Sequence, residues 1–144
     1  MNKIKDSLTY DIIGCAMTVH STLGAGFQEV IYQRALAIEM GLKGISYSRE
    51  MEMDIMYRDQ QIGTRRVDFF VDDRIMVELK AVSTLDDSHL NQAMNYCQAY
   101  NLPVGLLINF GSKSLEYKRV YNIHHDDNTS SEICLLYTSP SPRD

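Results

Sequence analysis

The segment from Arg66 to Lys80, RVDFFVDDRIMVELK, constrains the fold of this chain most strongly. Apolar and polar side chains alternate on both sides of a short polar break, and this is the period of β-strands rather than of helices. The break itself, DDR, has the residue types of a turn. The segment therefore predicts two antiparallel strands joined by a hairpin loop.

The register of this hairpin follows from its apolar side chains, because a slip by one residue would move all of them to the other face. A three-residue loop, 72–74, places Asp68 directly across from Glu78 on the polar face, with Lys80 one pleat further. The apolar face then consists of three facing pairs, which are Val71 with Ile75, Phe69 with Val77, and Val67 with Leu79.

Asp68 and Glu78 would face each other at a distance where two carboxylates repel unless a proton or a cation lies between them. A divalent metal is the predicted occupant, since carboxylate oxygens and a main-chain carbonyl form a hard site that suits Mg²⁺ or Mn²⁺. Lys80 would lie beside the metal, where its ammonium group can hold a water molecule or offset charge on a phosphate. The alternative is an ordinary acidic sheet face. The apolar neighbours of Glu78 argue against it, because half-buried charges are costly when they are unpaired.

The composition is that of a globular domain, with 44% hydrophobic and 23% charged residues in a chain of 144. This length suits one domain with a single core. The sequence has neither an apolar run long enough to span a membrane nor a signal-peptide pattern, so we expect a cytoplasmic protein without a membrane partner. The net charge of −5 argues against broad, non-specific DNA binding but leaves room for a local basic rim.

The C-terminal residues differ in composition from the rest of the chain. We expect one domain over residues 1–122 and a polar, disordered tail over residues 123–133. Residues 134–144, CLLYTSPSPRD, resemble the translation of a sequencing adapter. The natural chain is therefore expected to continue differently after residue 133, and the last segment is left out of the fold prediction.

Three segments show the apolar spacing of amphipathic helices. Cys15 and Cys97 lie within two of them and are predicted to be buried apolar residues rather than metal ligands or disulfide partners. The predicted helices are Leu8–Leu23 with Asp6 or Ser7 as cap, a helix from near Phe27 or Gln28 to Met40 that Gly41 ends, and Asp86–Tyr100 with Thr84 or Asp86 at its start.

The remaining segments predict three more strands. A nearly continuous apolar run from Pro103 to Asn109 is typical of a central strand covered on both faces. Leu115–Tyr121 alternates as an edge strand. Ile45–Tyr57 turns through residues 58–61 into Ile62–Val71, where Gly63 is expected to mark a bulge. The order α-α-β-β-β-α-β-β predicts an α/β sandwich, in which helices flank a central mixed sheet.

Several motifs occur together in the order found in one protein family. Gly26–Tyr32, GFQEVIY, has the pattern GxxExxY and resembles the signature of the bacterial GxxExxY proteins, a family within the PD-(D/E)XK nuclease superfamily. The similarity covers about residues 5–122 and implies a restriction-endonuclease-like sandwich. The other motifs are RVDF at 66–69, VELK at 77–80, QxxxY at 92–96 and LINFG at 107–111.

The resemblance implies a Mg²⁺-dependent nuclease that acts on nucleic acid, with DNA as the expected substrate. It implies that Asp68, Glu78 and the carbonyl of Leu79 hold the metal. Glu29 would complete the acidic cluster, although the helix dipole alone also explains an acid in a first helical turn. Lys80 would position or activate the attacking water.

The resemblance also implies roles for residues around this site. Gln92 is expected to orient the site, and Tyr96 to contact the substrate phosphate, although a solvated helix stripe is the plain alternative for both. Tyr32, a helical neighbour of Glu29, is expected to contact the substrate. The basic residues themselves, independently of the resemblance, predict a phosphate-binding rim, and ordinary surface charge is the plain alternative for each of them. The predicted rim consists of Arg65, Arg66 and Arg74 in the hairpin and Lys113, Lys118 and Arg119 near the last strand.

Two other functions fit the same residues. A non-catalytic member of the fold that binds nucleic acid or a protein is suggested by the acidic net charge and the small size. The intact set of Asp68, Glu78 and Lys80 favours catalysis instead. An RNA or small-molecule phosphodiesterase would use the same site, and the sequence leaves both the substrate and the oligomeric state undecided.

Overall fold

A computed structural model of the chain describes residues 3–123 and residue 125. Within these residues, three helices and five strands follow one another in the predicted order. The expected tail, apart from residues 123 and 125, and the adapter-like segment lie outside the described residues. The helices are α1 (Lys3–Leu23), α2 (Glu29–Leu42) and α3 (Asp87–Ala99), and the strands are β1 (Tyr47–Tyr57), β2 (Gln60–Val71), β3 (Ile75–Lys80), β4 (Val104–Asn109) and β5 (Glu116–Tyr121).

The five strands form one mixed sheet in the order β1-β2-β3-β4-β5. The pair β3–β4 is parallel, with α3 in the connection between the two strands, and the other three pairs are antiparallel. Every residue of β4 is buried, and β5 lies at an edge of the sheet. Both properties were predicted from the apolar run of β4 and the alternation of β5.

Two apolar clusters fill the two faces of this sheet, so the predicted α/β sandwich is confirmed. Helices α1 and α2 pack on one face, where Ile12, Leu36 and Phe69 are fully buried. Helix α3 packs on the other face through Ala93 and Cys97. In the described part of the chain, no helix has the length and apolarity needed to cross a bilayer.

The hairpin between β2 and β3 has the predicted three-residue loop, and Val71 pairs with Ile75 and Phe69 with Val77. The described ladder ends there, so neither the predicted pairing of Asp68 with Glu78 nor that of Val67 with Leu79 is formed. Val67 packs on the α3 side of the sheet, whereas Phe69 and Val71 pack on the other side. The alternation of β2 is therefore interrupted at Asp68, where the two strands separate.

The helix boundaries correct two of the predicted ends. Helix α1 begins at Lys3, before the predicted Leu8. Helix α2 continues through Gly41 and ends in a Schellman motif around Gly44, which has a left-handed φ of 71° that glycine adopts without a Cβ penalty. In this motif the N–H groups of Gly44 and Ile45 donate to the carbonyls of Gly41 and Met40, both at 3.0 Å.

Three local predictions, which concern a turn, a bulge and a helix cap, have different outcomes. The β1–β2 turn consists of Arg58 and Asp59 only, both with positive φ, rather than of the predicted residues 58–61. Ile55 pairs with Gly63 and Met56 pairs with Gln61, which leaves Ile62 unpaired. The predicted bulge is therefore present, one residue before Gly63. Helix α3 has the predicted cap Asp86, whose carboxylate accepts from the backbone of Ser88 and His89.

Candidate active site

A polar cleft of about 360 Å³ opens where β2 and β3 separate, beside the first turns of α2. It brings together six of the residues that the sequence singled out, which are Glu29, Arg65, Arg66, Asp68, Glu78 and Lys80. The remaining lining residues are Val30, Gln33 and Glu50.

Both carboxylate oxygens of Asp68 accept hydrogen bonds. Gln33 Nε2 donates to Oδ1 at 2.9 Å, and the main-chain N–H of Leu79 donates to Oδ2 at 2.8 Å. The carboxylate thus takes the place of a backbone acceptor at the point where the β2–β3 ladder stops. Gln33 is 95% buried by this packing, and these two donors fix the orientation of the acid.

Glu78 is the buried acid of the cleft, with 6% of its surface exposed. Its Oε2 accepts from Arg65 Nη2 at 2.6 Å and lies 3.9 Å from Lys80 Nζ. Its Oε1 is buried and has no hydrogen-bond partner among the described residues. A buried carboxylate oxygen without a partner is unfavourable, and it is a free ligand atom for a cation.

Burial raises the pKa of Glu78 from its ordinary value of 4.5 to about 7. The guanidinium of Arg65 acts in the opposite direction because it favours the ionised carboxylate, and Lys80 adds to that effect. The nearby charge of Asp68 raises the pKa further. Burial prevails over the two cations, so the protonated form of Glu78 is favoured more than that of an ordinary glutamate.

Arg65 lies closer to the centre of the cleft than the predicted phosphate-binding rim. Besides its ion pair with Glu78, its guanidinium carbon lies 5.1 Å from the centre of the Tyr96 ring, which is within the range of cation–π contacts. Its Nε is buried without a hydrogen-bond partner in the described part of the chain. In sequence, nothing distinguishes Arg65 from its neighbour Arg66, which lines the same cleft and is exposed.

Glu50 is a cleft residue that sequence reasoning missed. The pairs Arg49–Phe69 and Met51–Val67 place it opposite Asp68 on β1. Its φ of 57° is left-handed, a conformation that costs a non-glycine residue roughly 1–3 kcal/mol and is concentrated at functional sites. The alternation of β1 carries no signal of this backbone kink, so only the three-dimensional structure reveals it.

Tyr32 does not line the cleft, in contrast to the predicted substrate contact. It is fully buried, and its ring stacks on Phe110 with the centroids 4.6 Å apart. Its hydroxyl donates to the carbonyl of Gly24 and accepts from the backbone N–H of Phe27 at 3.2 Å. In GxxExxY the tyrosine therefore fixes the glycine turn before α2, and this turn positions Glu29.

Gln92 and Tyr96 lie on α3 and line a second, smaller cavity rather than the carboxylate cleft. Tyr96 is connected to the cleft through its contact with Arg65. Among the described residues, the side-chain hydrogen bond that orients Asp68 comes from Gln33 rather than from Gln92, and the role of Gln92 stays a prediction.

The LINFG motif holds the chain that follows β3. The Asn109 side chain accepts from Val82 N at 2.9 Å and donates to Val82 O and Glu116 Oε1, both at 2.8 Å. A Cβ at Gly111 would lie 2.4 Å from Val82 O and 2.5 Å from Ala81 C. Only glycine fits there without a backbone shift, so the motif fixes the segment directly after Lys80.

The donor atoms in the cleft suit a hard cation. Among the described residues, no group of three or more His, Cys, Asp and Glu side chains is arranged as a metal site. Two carboxylates of the cleft are the candidate metal ligands. Asp68 is held by two hydrogen-bond donors, and Glu78 has an oxygen without a hydrogen-bond partner among the described residues. Main-chain carbonyls and water complete such carboxylate pairs in sites for Mg²⁺ or Mn²⁺.

Helices on both faces of a five-stranded mixed sheet, with two acids and a lysine where two strands separate, define an α/β domain of the nuclease type. A sequence model of the PD-(D/E)XK nuclease superfamily matches residues 6–120. The chain belongs to this superfamily, and the expected fold class is thereby confirmed. Membership of the GxxExxY family within it stays a prediction.

One solved structure of similar fold is the crystal structure of SSO0001, with 15% sequence identity and a TM-score of 0.52. The alignment covers 75% of this chain and 55% of that chain, so this chain spans about half the length of that protein. At this identity the likeness shows the fold alone. No curated protein sequence matches the chain.

Proposed function

We propose that this protein is a metal-dependent phosphodiesterase that hydrolyses nucleic acid, with DNA as its substrate. Membership of a nuclease superfamily supports the reaction class. The observation that carries the proposal is Glu78, a buried carboxylate in the same cleft as Asp68 and Lys80, with one oxygen that has no hydrogen-bond partner in the described part of the chain. Such a group is stabilised by a cation, and the catalytic lysine would already be beside it.

Asp68, Glu78 and the main-chain carbonyl of Leu79 would hold Mg²⁺ or Mn²⁺. The N–H of Leu79 donates to Asp68, and in a strand the N–H and C=O of one residue point toward the same neighbouring strand. The Leu79 carbonyl therefore faces the same gap as the two acids. When bound, the cation would polarise the phosphate and lower the pKa of a coordinated water.

The remaining residues of the cleft would act on the water and the phosphate. Lys80, whose side chain is 17% exposed, is in reach of Glu78 and of the cleft, where it would orient the attacking water. Glu29, in the first turn of α2, would complete the acidic cluster. Arg66 would bind a phosphate oxygen, since its exposed guanidinium lines the same cleft.

Cleavage of plasmid and single-stranded DNA with Mg²⁺ or Mn²⁺ tests this function. Asp68→Asn and Lys80→Met should each lower the cleavage rate by at least about 100-fold, because they remove a ligand and the water-positioning group. Asp73→Asn and Lys43→Met are matched controls, since both residues are exposed and neither lines the cleft. The proposal fails if the wild type cleaves neither DNA, or if Asp68→Asn and Lys80→Met cleave as fast as the controls.

A binding function without hydrolysis is the second candidate, and one observation favours it. Arg65 already supplies a cation to Glu78 at 2.6 Å, so this acid has a charged partner in the absence of a metal. Calorimetry with Mn²⁺ separates the two functions. Saturable binding that Asp68→Asn abolishes supports the phosphodiesterase, whereas DNA binding in the absence of any Mn²⁺ binding supports the second candidate.

A further inference from the structure

A second cavity, of about 200 Å³, lies on the α3 side of the sheet. Its walls combine two amide side chains and two phenol rings with two apolar groups, and none of them is charged. Four of the six residues recur along one face of α3 at helical spacing. The lining residues are Ile55, Gln92, Asn95, Tyr96, Ala99 and Tyr100.

This α3 cavity adjoins the carboxylate cleft at a single arginine. Tyr96 lines the α3 cavity, and its ring lies 5.1 Å from the guanidinium carbon of Arg65. Arg65 lines the cleft and contacts Glu78. A ligand with an anionic part in the cleft could therefore place a neighbouring neutral part against Tyr96.

The chemistry of the α3 cavity suits a flat heterocycle. Amide side chains offer both donors and acceptors, as the edges of nucleobases do, and tyrosine rings provide stacking surfaces. A phosphate would find no positive group among the six lining residues. The volume is below that of pockets for drug-sized ligands, which start at about 300 Å³, so one ring system rather than a larger ligand is the fitting occupant.

We propose that the α3 cavity is a nucleobase subsite that receives an unpaired base next to the phosphate in the cleft. This inference rests on the proposed function and narrows its substrate to nucleic acid with at least one unpaired nucleotide. In a duplex, the stacked and paired base could not enter a lateral cavity without being extruded from the helix. Single strands, or duplexes with a damaged or mismatched base, satisfy this condition.

Binding of labelled oligomers without metal tests the subsite independently of cleavage. The probes are a fluorescein-labelled oligothymidine of about twelve nucleotides, an abasic deoxyribose-phosphate oligomer of equal length and a duplex, measured by anisotropy in EDTA. Wild type should bind the oligothymidine at least about tenfold more tightly than the abasic oligomer, because stacking on an aromatic side chain favours a base. The duplex should bind more weakly than the single strand.

Two variants test whether the preference for bases over the abasic oligomer comes from the α3 cavity. Tyr96→Ala should reduce the preference for bases to about twofold or less. Gln92→Ala should also reduce the preference for bases. Because Gln92 is exposed, this truncation should leave the fold unaffected. Tyr117→Ala is the matched control, because this tyrosine is on β5 and lines neither cavity.

Equal affinity for the oligothymidine and the abasic oligomer would overturn the subsite, and so would a duplex that binds as tightly as the single strand. Absence of binding to every oligomer would also overturn it. None of these results decides the proposed hydrolysis, which the Mg²⁺-dependent cleavage of plasmid and single-stranded DNA tests separately. A base preference without any cleavage would support the subsite and contradict the hydrolytic function.

Discussion

Arg65 Nη2 lies 2.6 Å from Glu78 Oε2, and this ion pair is the main charge contact of the cleft. It leaves two buried polar atoms, Arg65 Nε and Glu78 Oε1, without hydrogen-bond partners among the described residues. The pair is therefore incompletely satisfied, and each side chain has an atom available for another group. A cation near Glu78 and a phosphate near Arg65 would satisfy both.

Replacing Arg65 by Met should leave the Glu78 carboxylate buried without its strongest partner. At about pH 8.5 we expect the free energy of unfolding to fall by roughly 2 kcal/mol, less than the ~3–5 kcal/mol of a fully buried pair, because the Arg65 side chain is 26% exposed. Mn²⁺ should then raise the unfolding temperature more in the variant than in the wild type, because the metal would replace the lost cation. Circular dichroism measures both the free energy of unfolding and the unfolding temperature, because the chain has no tryptophan whose fluorescence would report unfolding.

Arg66→Met is the control for this comparison, because Arg66 lines the same cleft and is exposed. It should lower the stability by less than about 0.5 kcal/mol. An equal response of Arg65→Met and wild type to Mn²⁺ would contradict the idea that metal and guanidinium share one carboxylate.

The raised pKa of Glu78 predicts a stability that declines as the pH rises. The folded protein retains the Glu78 proton up to a pKa of about 7, against an ordinary value of 4.5. The native state thus binds more protons than the unfolded state between these values. This contribution is fully present below pH 4.5 and is lost as the pH rises through about 7. The loss amounts to roughly 3 kcal/mol, since each pKa unit corresponds to about 1.4 kcal/mol.

Urea unfolding measured across this pH range checks the prediction, in the absence of divalent metal. Glu78→Gln has no proton to lose, so its stability should change less with pH than that of the wild type. Parallel curves for the two proteins would show that Glu78 titrates at its ordinary value in the folded state.

Gln33→Leu should weaken metal binding without removing a proposed ligand. The substitution deletes the 2.9 Å hydrogen bond that holds Asp68 Oδ1 while keeping a side chain of similar size in this buried position. Loss of such an orienting partner lowers metal affinity or activity by about 10- to 100-fold. Calorimetry with Mn²⁺ and the cleavage rate are the two measurements. Gln28→Leu, at an exposed position without a side-chain capping bond, should change neither.

Gly111→Ala should destabilise the fold by roughly 1–3 kcal/mol, because the new methyl group would overlap the backbone of Ala81 and Val82. Gly14→Ala is the matched control, since an added Cβ meets nothing within 4 Å in α1. It should stabilise the protein by about 0.5–1 kcal/mol, as alanine favours helix over glycine. Thermal unfolding followed by circular dichroism distinguishes the expected loss of stability from the expected gain. A Gly111→Ala variant as stable as the wild type would refute the close packing at Gly111.

Periodicity predicted most of this fold because each strand and helix has one buried face. The hairpin loop at 72–74 followed from the requirement that apolar side chains share a face, and the burial of β4 followed from its apolar run. The errors lie at the ends of elements. The sequence predicts that Gly41 ends α2, yet the left-handed conformation that ends this helix occurs at Gly44. The spacing of apolar residues alone does not distinguish the two glycines.

The candidate site was predictable where residue type determines chemistry and unpredictable where geometry does. Asp68, Glu78 and Lys80 could be named because two acids and a lysine around a hairpin suggest a metal. Gln33 could not, since its contact with Asp68 depends on how α2 lies on the sheet. Tyr32 belongs to a recognisable motif, but its buried hydroxyl shows that the motif maintains a turn.

All nine residues that line the carboxylate cleft lie between positions 29 and 80. The end of β3 is nevertheless fastened by Asn109 and Glu116, which connect the chain after Lys80 to the last two strands. A fragment that stops soon after Lys80 would contain every group of the cleft and lack the anchor that holds them in place. The geometry of the cleft thus depends on the C-terminal part of the domain, which contributes no side chain to the cleft.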